Sequence, residues 1–393
     1  MSDWRKVTLN QMGHISRGRS KHRPRNDARL FGGPYPFIQT GDIGSAGLYV
    51  TGYNQTYNED GLAQSKLWEK DTLCITIAAN IADTALLAFP ACFPDSIMGF
   101  TPFYDVANVK FVKYCFDVLQ RDCKQISQGT AQDNLSWEKL STILFPCPPI
   151  EVQNKIATIL SRYDSLIENY QKQIKLLEES AQRLYKEWFI DLRFPGHENT
   201  KIVDGVPEGW EKKTLSDIAT IIMGQSPKSE FYNSVRNGLP FHQGVGSYGF
   251  RFVVDNVYST SFTRIAESNS ILFSVRAPVG RLNITKNKIV IGRGLAAINH
   301  KKGHQSFLYY LLKEKFFKDN IIGNGAIFAS ISKDELYNQI FVIPSDEMVM
   351  RYDTIANKID KDIQYIDSQI YFLTEGRDRL LPKLMSGEVI VKR

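Results

Sequence analysis

Two long stretches of the chain place apolar or aromatic residues at alternating steps of four and three, the spacing of a coiled-coil helix. The first stretch contains no Gly or Pro between Glu151 and Phe194. At about 1.5 Å per residue its seam would extend roughly 50 Å. The seam consists of Ile156, Leu160, Tyr163, Ile167, Tyr170, Ile174, Leu177, Ala181, Leu184 and Trp188. This pattern predicts a long helix that must bury one face.

The same seam returns 196 residues later, near the C-terminus. Its positions are Tyr352, Ala356, Ile359, Ile363, Ile366, Ile370, Leu373, Arg377, Leu380 and Leu384. Arg377, beside Gly376, is the position that breaks the apolar pattern. The natural partner of each seam is the other copy, which predicts two helices paired antiparallel within one chain. The alternative is that each amphipathic helix packs on its own domain.

Each long helix follows a stretch in which short β-prone runs alternate with helical spacings. Residues 73–77, 271–275 and 289–291 have the composition of buried strands, and residues 111–119 and 307–318 have helical spacing. Stretches rich in Gly, Asn and Ser separate these elements. The pattern predicts two α+β modules with long irregular loops.

The two modules repeat each other. Short motifs of the first module recur in the same order in the second, and the distance between the two copies falls from 206 to 196 residues along the chain. Near the start of the modules, Trp4, Thr8 and Leu9 return as Trp210, Thr214 and Leu215. Further along, Phe37 and Gln39 return as Phe241 and Gln243, and Phe145, Pro148 and Glu151 return as Phe341, Pro344 and Glu347. So long a period indicates a duplicated domain and not a solenoid. We therefore expect a pseudo-two-fold internal repeat: a first module (1–150), a central helix (151–194), a linker (195–209), a second module (210–345), and a C-terminal helix and tail (346–393).

Positive charge is concentrated in both modules. The formal net charge is +6, yet residues 1–30 alone hold eight Lys or Arg against two Asp, and residues 221–302 hold eleven against three acids. Cationic patches gain free energy on a polyanion by releasing its counterions. One such cluster is equally well explained as a solvated surface. A basic region in each of two repeated modules favours nucleic acid.

Cysteine usage and the N-terminus indicate the cellular compartment. The five cysteines all lie in the first half of the chain and form no Cys-x-x-Cys pair, which is typical of reduced thiols. The N-terminus lacks an apolar core, and no run approaches 18 apolar residues. We expect a cytoplasmic protein that does not span a membrane.

Signatures of catalysis are weak. Residues 244–249 match G-x-G-x-x-G, but strand-like residues 250–254 follow where a helix is required. His300 and His304 have zinc-ligand spacing but enclose Gly303, so a helix-entry loop is expected. Residues 145–149 lack the Asn or Asp of an amino-methyltransferase, and Glu211 has no suitably spaced acidic partner for a nuclease metal site. We expect no catalytic residue and no metal site.

Several segments resemble the DNA-specificity subunit of type I restriction–modification systems. The resemblance spans the chain through residues 129–136, the central junction 188–196, the C-terminal residues 380–388, and the Trp-x-x-x-Thr-Leu that opens each module. The second module departs from the pattern, because Phe328 stands where the first has Gln132.

The resemblance implies two target recognition domains held apart by an antiparallel coiled coil, each reading half of a split asymmetric DNA site. The helices would act as a ruler and would dock two modification subunits, which carry S-adenosylmethionine and methylate adenine N6. Restriction subunits, which use ATP and Mg, would then join. This chain would supply recognition without a cofactor. Rival hypotheses are an independent adenine methyltransferase or nuclease, a scaffold that binds no DNA, and a nucleic-acid-binding protein outside restriction–modification.

Base edges are read mainly by Arg, Lys, Gln and Asn, and phosphates by Arg and Lys in loops. The candidates in the first module are Arg19, Lys21, Arg23, Arg25, Gln39, Thr130 and Gln132. Those in the second are Gln225, Lys228, Gln243, Tyr248, Arg276 and Arg293.

Overall fold

The computed structural model describes residues 4–77, 83–126, 137–316 and 330–391. They form two compact units, one made of residues 1–172 and 367–393 and the other of residues 173–366. Each unit contains one globular module together with parts of two long helices. Of the described helices, none has the length and apolar character needed to cross a bilayer.

The first module is built from two β-sheets flanked by helices. Its strands are β1 (Arg5–Val7), β2 (Gly13–Arg17), β3 (Phe31–Phe37), β4 (Tyr49–Val50), β5 (Gln55–Tyr57), β6 (Leu67–Trp68), β7 (Leu73–Thr76), β8 (Thr84–Leu87), β9 (Ala91–Cys92), β10 (Ile97–Pro102) and β11 (Phe145–Cys147). Its helices are α1 (Leu9–Met12), α2 (Thr40–Ser45), α3 (Glu59–Ala63), α4 (Val109–Ile126) and α5 (Trp137–Thr142), followed by the long helix α6 (Ile150–Phe189). The sheets have the orders β2-β10-β7-β8-β4 and β5-β3-β9-β6, and β1 pairs with β11.

The second module repeats this plan. Its strands are β12 (Ile202–Val203), β13 (Val206–Pro207), β14 (Glu211–Thr214), β15 (Ala219–Met223), β16 (Tyr232–Asn233), β17 (Leu239–His242), β18 (Tyr258–Ser259), β19 (Ile265–Ala266), β20 (Ile271–Ser274), β21 (Leu282–Ile284), β22 (Ile289–Ile291), β23 (Leu295–His300) and β24 (Ile340–Ile343). Its helices are α7 (Leu215–Ile218), α8 (Gln305–Phe316) and α9 (Lys333–Tyr337), followed by α10 (Asp346–Met385). The small hairpin β12-β13 lies within the stretch expected to be a linker.

Strand order and register confirm the duplication. The order β2-β10-β7-β8 of the first module matches β15-β23-β20-β21 of the second, and β5-β3-β9-β6 matches β18-β17-β22-β19. A parallel pair joins β3 to β9, with Phe37 opposite Cys92. The equivalent pair joins β17 to β22, with Phe241 opposite Val290. The predicted α+β class is therefore confirmed for both copies.

Continuous apolar runs form the centre of each module. All four residues of β7 and of β20 are buried, which explains why these strands are mainly apolar in sequence. The first eight residues of α8 are buried as well. His300 ends β23 and His304 precedes α8, so the predicted helix-entry loop is confirmed.

Every seam position of the two long helices is buried or half-buried. Helix α6 begins directly after Pro149, and α10 begins two residues after Pro344, as expected for proline near a helix start. The two helices run antiparallel in each unit. In the first, Ile156 shares a buried cluster with Leu384, while Asp164, further along α6, pairs with the earlier Arg377.

The second unit shows the same antiparallel direction. Tyr352 Oη donates a hydrogen bond to the carbonyl oxygen of Ala181 at 2.9 Å, and the rings of Tyr185 and Trp188 contact the ring of Tyr352. Asp360, later in α10, is linked through an arginine to the earlier Glu178 of α6. These contacts show that α6 and α10 run antiparallel within each unit. The face-to-face pairing of the central seam residues, Ile167, Tyr170, Ile174 and Leu177 with Ile359, Ile363, Ile366 and Ile370, stays a prediction.

The interruption of the seam at Arg377 has an electrostatic cause. Asp164 of α6 is 9% exposed. Tyr114 Oη donates to one of its oxygens at 2.5 Å, and Arg377 Nη1 donates to the other at 2.7 Å. A buried carboxylate is tolerated only when it is paired and hydrogen-bonded. Arg377 thus supplies the charge that an apolar seam residue could not.

The second unit contains the equivalent cluster with a different arginine. Tyr310 and Asp360 lie 196 residues after Tyr114 and Asp164, and Tyr310 Oη donates to Asp360 at 3.1 Å. Arg251, only 1% exposed, donates to Asp360 at 2.6 Å and to Glu178 at 2.9 Å. Its guanidinium lies 3.5 Å from the ring centroid of Tyr309.

This cluster corrects one expectation from the sequence. Residues 250–254 were expected to form a strand, but they form only isolated bridges, Tyr248 with Val253 and Phe252 with Ile284. Alternation of apolar and polar residues is typical of a strand with one solvated face. The strand prediction was wrong for this segment, and Arg251 is buried against carboxylates where a solvated face would be expected.

Candidate nucleic-acid interface

The basic loop of the first module follows β2 and is fixed along one edge. Arg19 Nε donates to the carbonyl oxygen of Ser65 at 3.0 Å, and Ser65 Oγ donates to the carbonyl oxygen of Arg19 at 2.7 Å. The backbone amide of His22 donates to the side chain of Gln64 at 3.1 Å. The side chain of Lys21 is exposed and makes no ion pair with the part of the chain that the structure describes.

Two arginines of this loop converge on Asp95. Arg25 Nη2 lies 2.6 Å and Arg23 Nη2 3.9 Å from its carboxylate oxygens. All three side chains are about half exposed, and such pairs contribute roughly 0–1 kcal/mol. The arginines are therefore held in position while remaining available to a stronger anionic partner. Nearby, hydrogen bonds from Arg29 hold the pKa of Asp27 well below its usual range.

Gln39 is exposed at the end of β3, where it caps α2. Its Nε2 donates to Gln55 Oε1 at 2.6 Å. Two further candidates of the first module, Thr130 and Gln132, lie outside the described residues.

In the second module four predicted residues meet on one surface. Gln225, Gln243 and Arg293 line a concavity of about 520 Å³. Gln243 and Arg293 also line a smaller neighbouring concavity together with Arg276. All four side chains are exposed. Glutamine and arginine are the residue types that read base edges, so this surface has the chemistry expected of a DNA reader.

The remaining two candidates of this module lie differently. Lys228 is exposed and lies 3.8 Å from Glu230, a position suited to a phosphate. The ring of Tyr248 packs against a buried cluster of the module, and its hydroxyl is buried, with no hydrogen-bond partner among the described residues. Burial raises the pKa of this hydroxyl. The structure therefore gives Tyr248 a place in the packing of the loop and offers no hydroxyl to a base.

Equivalent hydrogen bonds align the two surfaces position by position. The amides of Gly18 and Arg19 donate to the carbonyl oxygens of Ile97 and Phe93. The amides of Gly224 and Gln225 donate in the same way to Leu295 and Ile291. With Phe37 and Phe241 also equivalent, Gln39 corresponds to Gln243.

A turn at this surface carries opposite charges in the two modules. In the first, the amide of Ile97 donates to Pro94 O at 3.1 Å, and in the second the amide of Leu295 donates to Gly292 O at 3.0 Å. Asp95 and Arg293 therefore occupy the same position of the same turn. Asp95 was not among the residues predicted from the sequence, since its role depends on arginines 70 or more residues away.

A buried histidine was also missed. His242 is 1% exposed; its Nε2 lies 2.9 Å from Asp255 Oδ1 and its Nδ1 2.8 Å from Ser247 Oγ. It ties the segment after β17 to two points of the following loop. The equivalent residue of the first module is the buried Ile38. Alignment of the two repeats, which places a histidine opposite a buried apolar residue, was the signal in the sequence that could have indicated His242.

Among the described residues, no group of three or more His, Cys, Asp or Glu could hold a metal ion. Comparison with known families then decides the classification. The model of the type I restriction modification DNA specificity domain matches residues 1–179 and again residues 207–365. The chain belongs to this family. Each match covers one module and part of the long helix that follows it.

Individual members of the family are similar over most of the chain. The MjaIX specificity subunit of a type I restriction enzyme from Methanocaldococcus jannaschii is 26% identical over 99% of this chain and 94% of its own length. A protein assigned as the MjaX specificity subunit from the same organism is 33% identical over 66% of this chain, which covers 63% of that relative.

A solved structure supports the fold. The S subunit of a type I restriction–modification system from M. genitalium aligns with a TM-score of 0.58 and 17% sequence identity. The alignment covers 97% of this chain and 96% of that one. The alignment shows that this chain shares the fold of that subunit.

Proposed function

We propose that this chain is the DNA-recognition subunit of a type I restriction–modification system, in which each module reads one half of a bipartite, asymmetric site. The observation that carries the proposal is the pair of equivalent surfaces. One backbone framework presents Arg19, Gln39 and Asp95 in the first module and Gln225, Gln243 and Arg293 in the second. A shared framework with exchanged polar side chains is the expected design of two readers with different targets.

The proposed partners follow from the family. Two modification subunits would bind S-adenosylmethionine and methylate adenine N6, and restriction subunits would use ATP and Mg. The paired helices would hold the two readers in register with the unread spacer. In this proposal the chain itself supplies recognition, and the partner subunits supply the catalysis. Its place of action would be the cytoplasm, where the DNA lies.

Charge neutralisation in the first module tests DNA binding. We expect replacement of Lys21, Arg23 and Arg25 by Gln to weaken binding of the assembled complex to its target. The slope of log K against log salt should become shallower by roughly one unit for each phosphate that the loop no longer neutralises. Measurement uses fluorescence anisotropy with a labelled duplex at several salt concentrations. An unchanged slope would contradict contact between this loop and phosphate.

A matched control variant separates the effect of the loop's own contacts from the effect of the net charge. Arg5, Lys6 and Lys70 are exposed in the same module, outside the basic loop, and their replacement by Gln removes the same positive charge without removing a proposed contact. Binding by this variant should stay within about twofold of the original chain. Equal weakening by both variants would mean that net charge alone governs binding.

Exchange of the second module tests the two-reader arrangement. Residues 210–340 are replaced by those of another family member, and methylated sites are mapped across a genome. One half-site should change, while the other half and the spacer are retained. A change of both halves would overturn the proposal in favour of joint recognition. If the complex assembled with the original chain is folded but shows no salt-sensitive DNA binding, the scaffold alternative is favoured.

A further inference from the structure

The two readers carry opposite charges at one turn, and backbone hydrogen bonds hold this turn of the second module in place. Arg293 is flanked by Gly292 and Gly294, whose amides donate to the carbonyl oxygens of His242 at 2.8 Å and Gln243 at 3.1 Å. A Cβ atom at position 294 would lie 2.4 Å from Gln243 O, and one at position 292 would lie 2.9 Å from Gln243 Cα. Glycine is therefore required on both sides of Arg293.

The segment beside this turn is fixed as well. The Arg293 amide donates to Ser226 Oγ at 3.3 Å, and buried His242 anchors the chain immediately before Gln243. Gln225, Gln243 and Arg293 thus project from three backbone segments joined by hydrogen bonds. A contact made from a preorganised backbone loses less entropy on binding and tolerates less change in its partner.

The side chain of Arg293 is free to bind a ligand. It is exposed and forms no ion pair with any described residue, and it lies between the two concavities together with Gln243. In the first module the same position holds Asp95, a carboxylate that binds Arg25 and Arg23. Position 293 therefore offers donors where position 95 offers acceptors.

We propose that Arg293 is a specificity-determining residue that reads a guanine in the half-site of the second module. Arginine donates two parallel hydrogen bonds to guanine O6 and N7, which is the commonest specific contact in the major groove. The neighbouring Gln243 has the amide needed for an adjacent adenine. Asp95 excludes the guanine contact from the equivalent position of the first module. This inference rests on the proposed function and assigns the base contact within it.

Selection from randomised duplexes tests the inference. The full chain, assembled with the modification subunits of its system, binds a library randomised in both half-sites at one fixed salt concentration. The original chain should select guanine at one position or more of one half-site. Arg293→Gln should reduce the preference for guanine over the other bases at one such position by roughly 10- to 100-fold. The other half-site should be selected as before.

Lys228→Gln is the matched control, because it removes an exposed cation from the same module. It should weaken all sequences alike and make the salt slope shallower by about one unit. If Arg293→Gln also weakens binding to all sequences alike, Arg293 is a phosphate contact and the inference is wrong. The inference is also wrong if the half-site selected by the second module lacks guanine. If the original chain selects no sequence at all, the proposed function itself fails. Thermal denaturation of each variant confirms that it is folded.

Discussion

Removal of Arg251 should strongly destabilise the second unit. It connects a loop of the module to Glu178 of α6 and to Asp360 of α10 while being 1% exposed. Replacement by Met retains most of the volume but removes the charge. Glu178 and Asp360, with side chains only 13% and 20% exposed, would then lack their main cationic partner.

The expected destabilisation follows from the interactions that Arg251 makes. Removing one partner of a buried ion pair costs about 3–5 kcal/mol, and loss of the stacking on Tyr309 adds roughly 0.5–2 kcal/mol. Tyr310 still donates to Asp360, and Lys313 lies 3.6 Å from Glu178, so the lower part of this range applies. We expect the free energy of unfolding to fall by about 3.5–4.5 kcal/mol. For a unit of this size that lowers Tm by roughly 7–18 °C.

Differential scanning calorimetry of the full chain measures the effect. Lys228→Met, which removes an exposed cation from the same module, should change Tm by less than about 2 °C. Combining Arg251→Met with Glu178→Gln and Asp360→Asn should recover at least half of the decrease, since neither carboxylate would then be left charged without its arginine. An Arg251→Met variant as stable as the lysine control would refute this role of Arg251, and so would a triple variant no more stable than Arg251→Met alone.

Three further predictions concern the helices, the chemistry and pH. Ile174→Asp places an unpaired carboxylate at a seam position that is 1% exposed, which should lower the free energy of unfolding by several kcal/mol. The variant should have a lower Tm and assemble poorly with its partners. Unchanged Tm and unchanged assembly would contradict the seam pairing. The purified chain alone should transfer no labelled methyl group from S-adenosylmethionine to DNA, and transfer would identify it as an enzyme. Burial, with His304 nearby, lowers the pKa of His300 to about 4, so stability should be complete above the unfolded pKa of about 6.5 and fall as the pH drops towards 4. His300→Asn keeps an acceptor for the amides of residues 302 and 304, and its Tm should fall less than that of the original chain between pH 7 and pH 5.

The sequence predicted those features that depend on local periodicity. The seams of α6 and α10 repeat every three or four residues, and duplicated landmarks gave the two modules and the correspondence of Gln39 with Gln243. The antiparallel direction followed from the need of each seam for a partner. These are properties of short windows, where the periodic burial of side chains is visible in the pattern itself.

Long-range electrostatics could not be predicted in this way. Arg377 looked like a defect in its seam because the carboxylate that requires it, Asp164, lies 213 residues earlier. The burial of Arg251 could not be predicted from the strand-like residues 250–254, because its partners are 73 and 109 residues away. The opposed charges of Asp95 and Arg293 became visible only once backbone hydrogen bonds had aligned the two turns.

Because of the two Tyr–Asp–Arg clusters, the two modules are not equally easy to exchange by recombination. In the first unit the carboxylate and its arginine, Asp164 and Arg377, both belong to the long helices, so an exchanged first module needs to bring only a hydroxyl at the position of Tyr114. In the second unit the arginine belongs to the module. An incoming second module without a counterpart of Arg251 would leave Glu178 and Asp360 without their main cation. Evolution of new specificities by module exchange should therefore be less restricted in the first half of the gene than in the second.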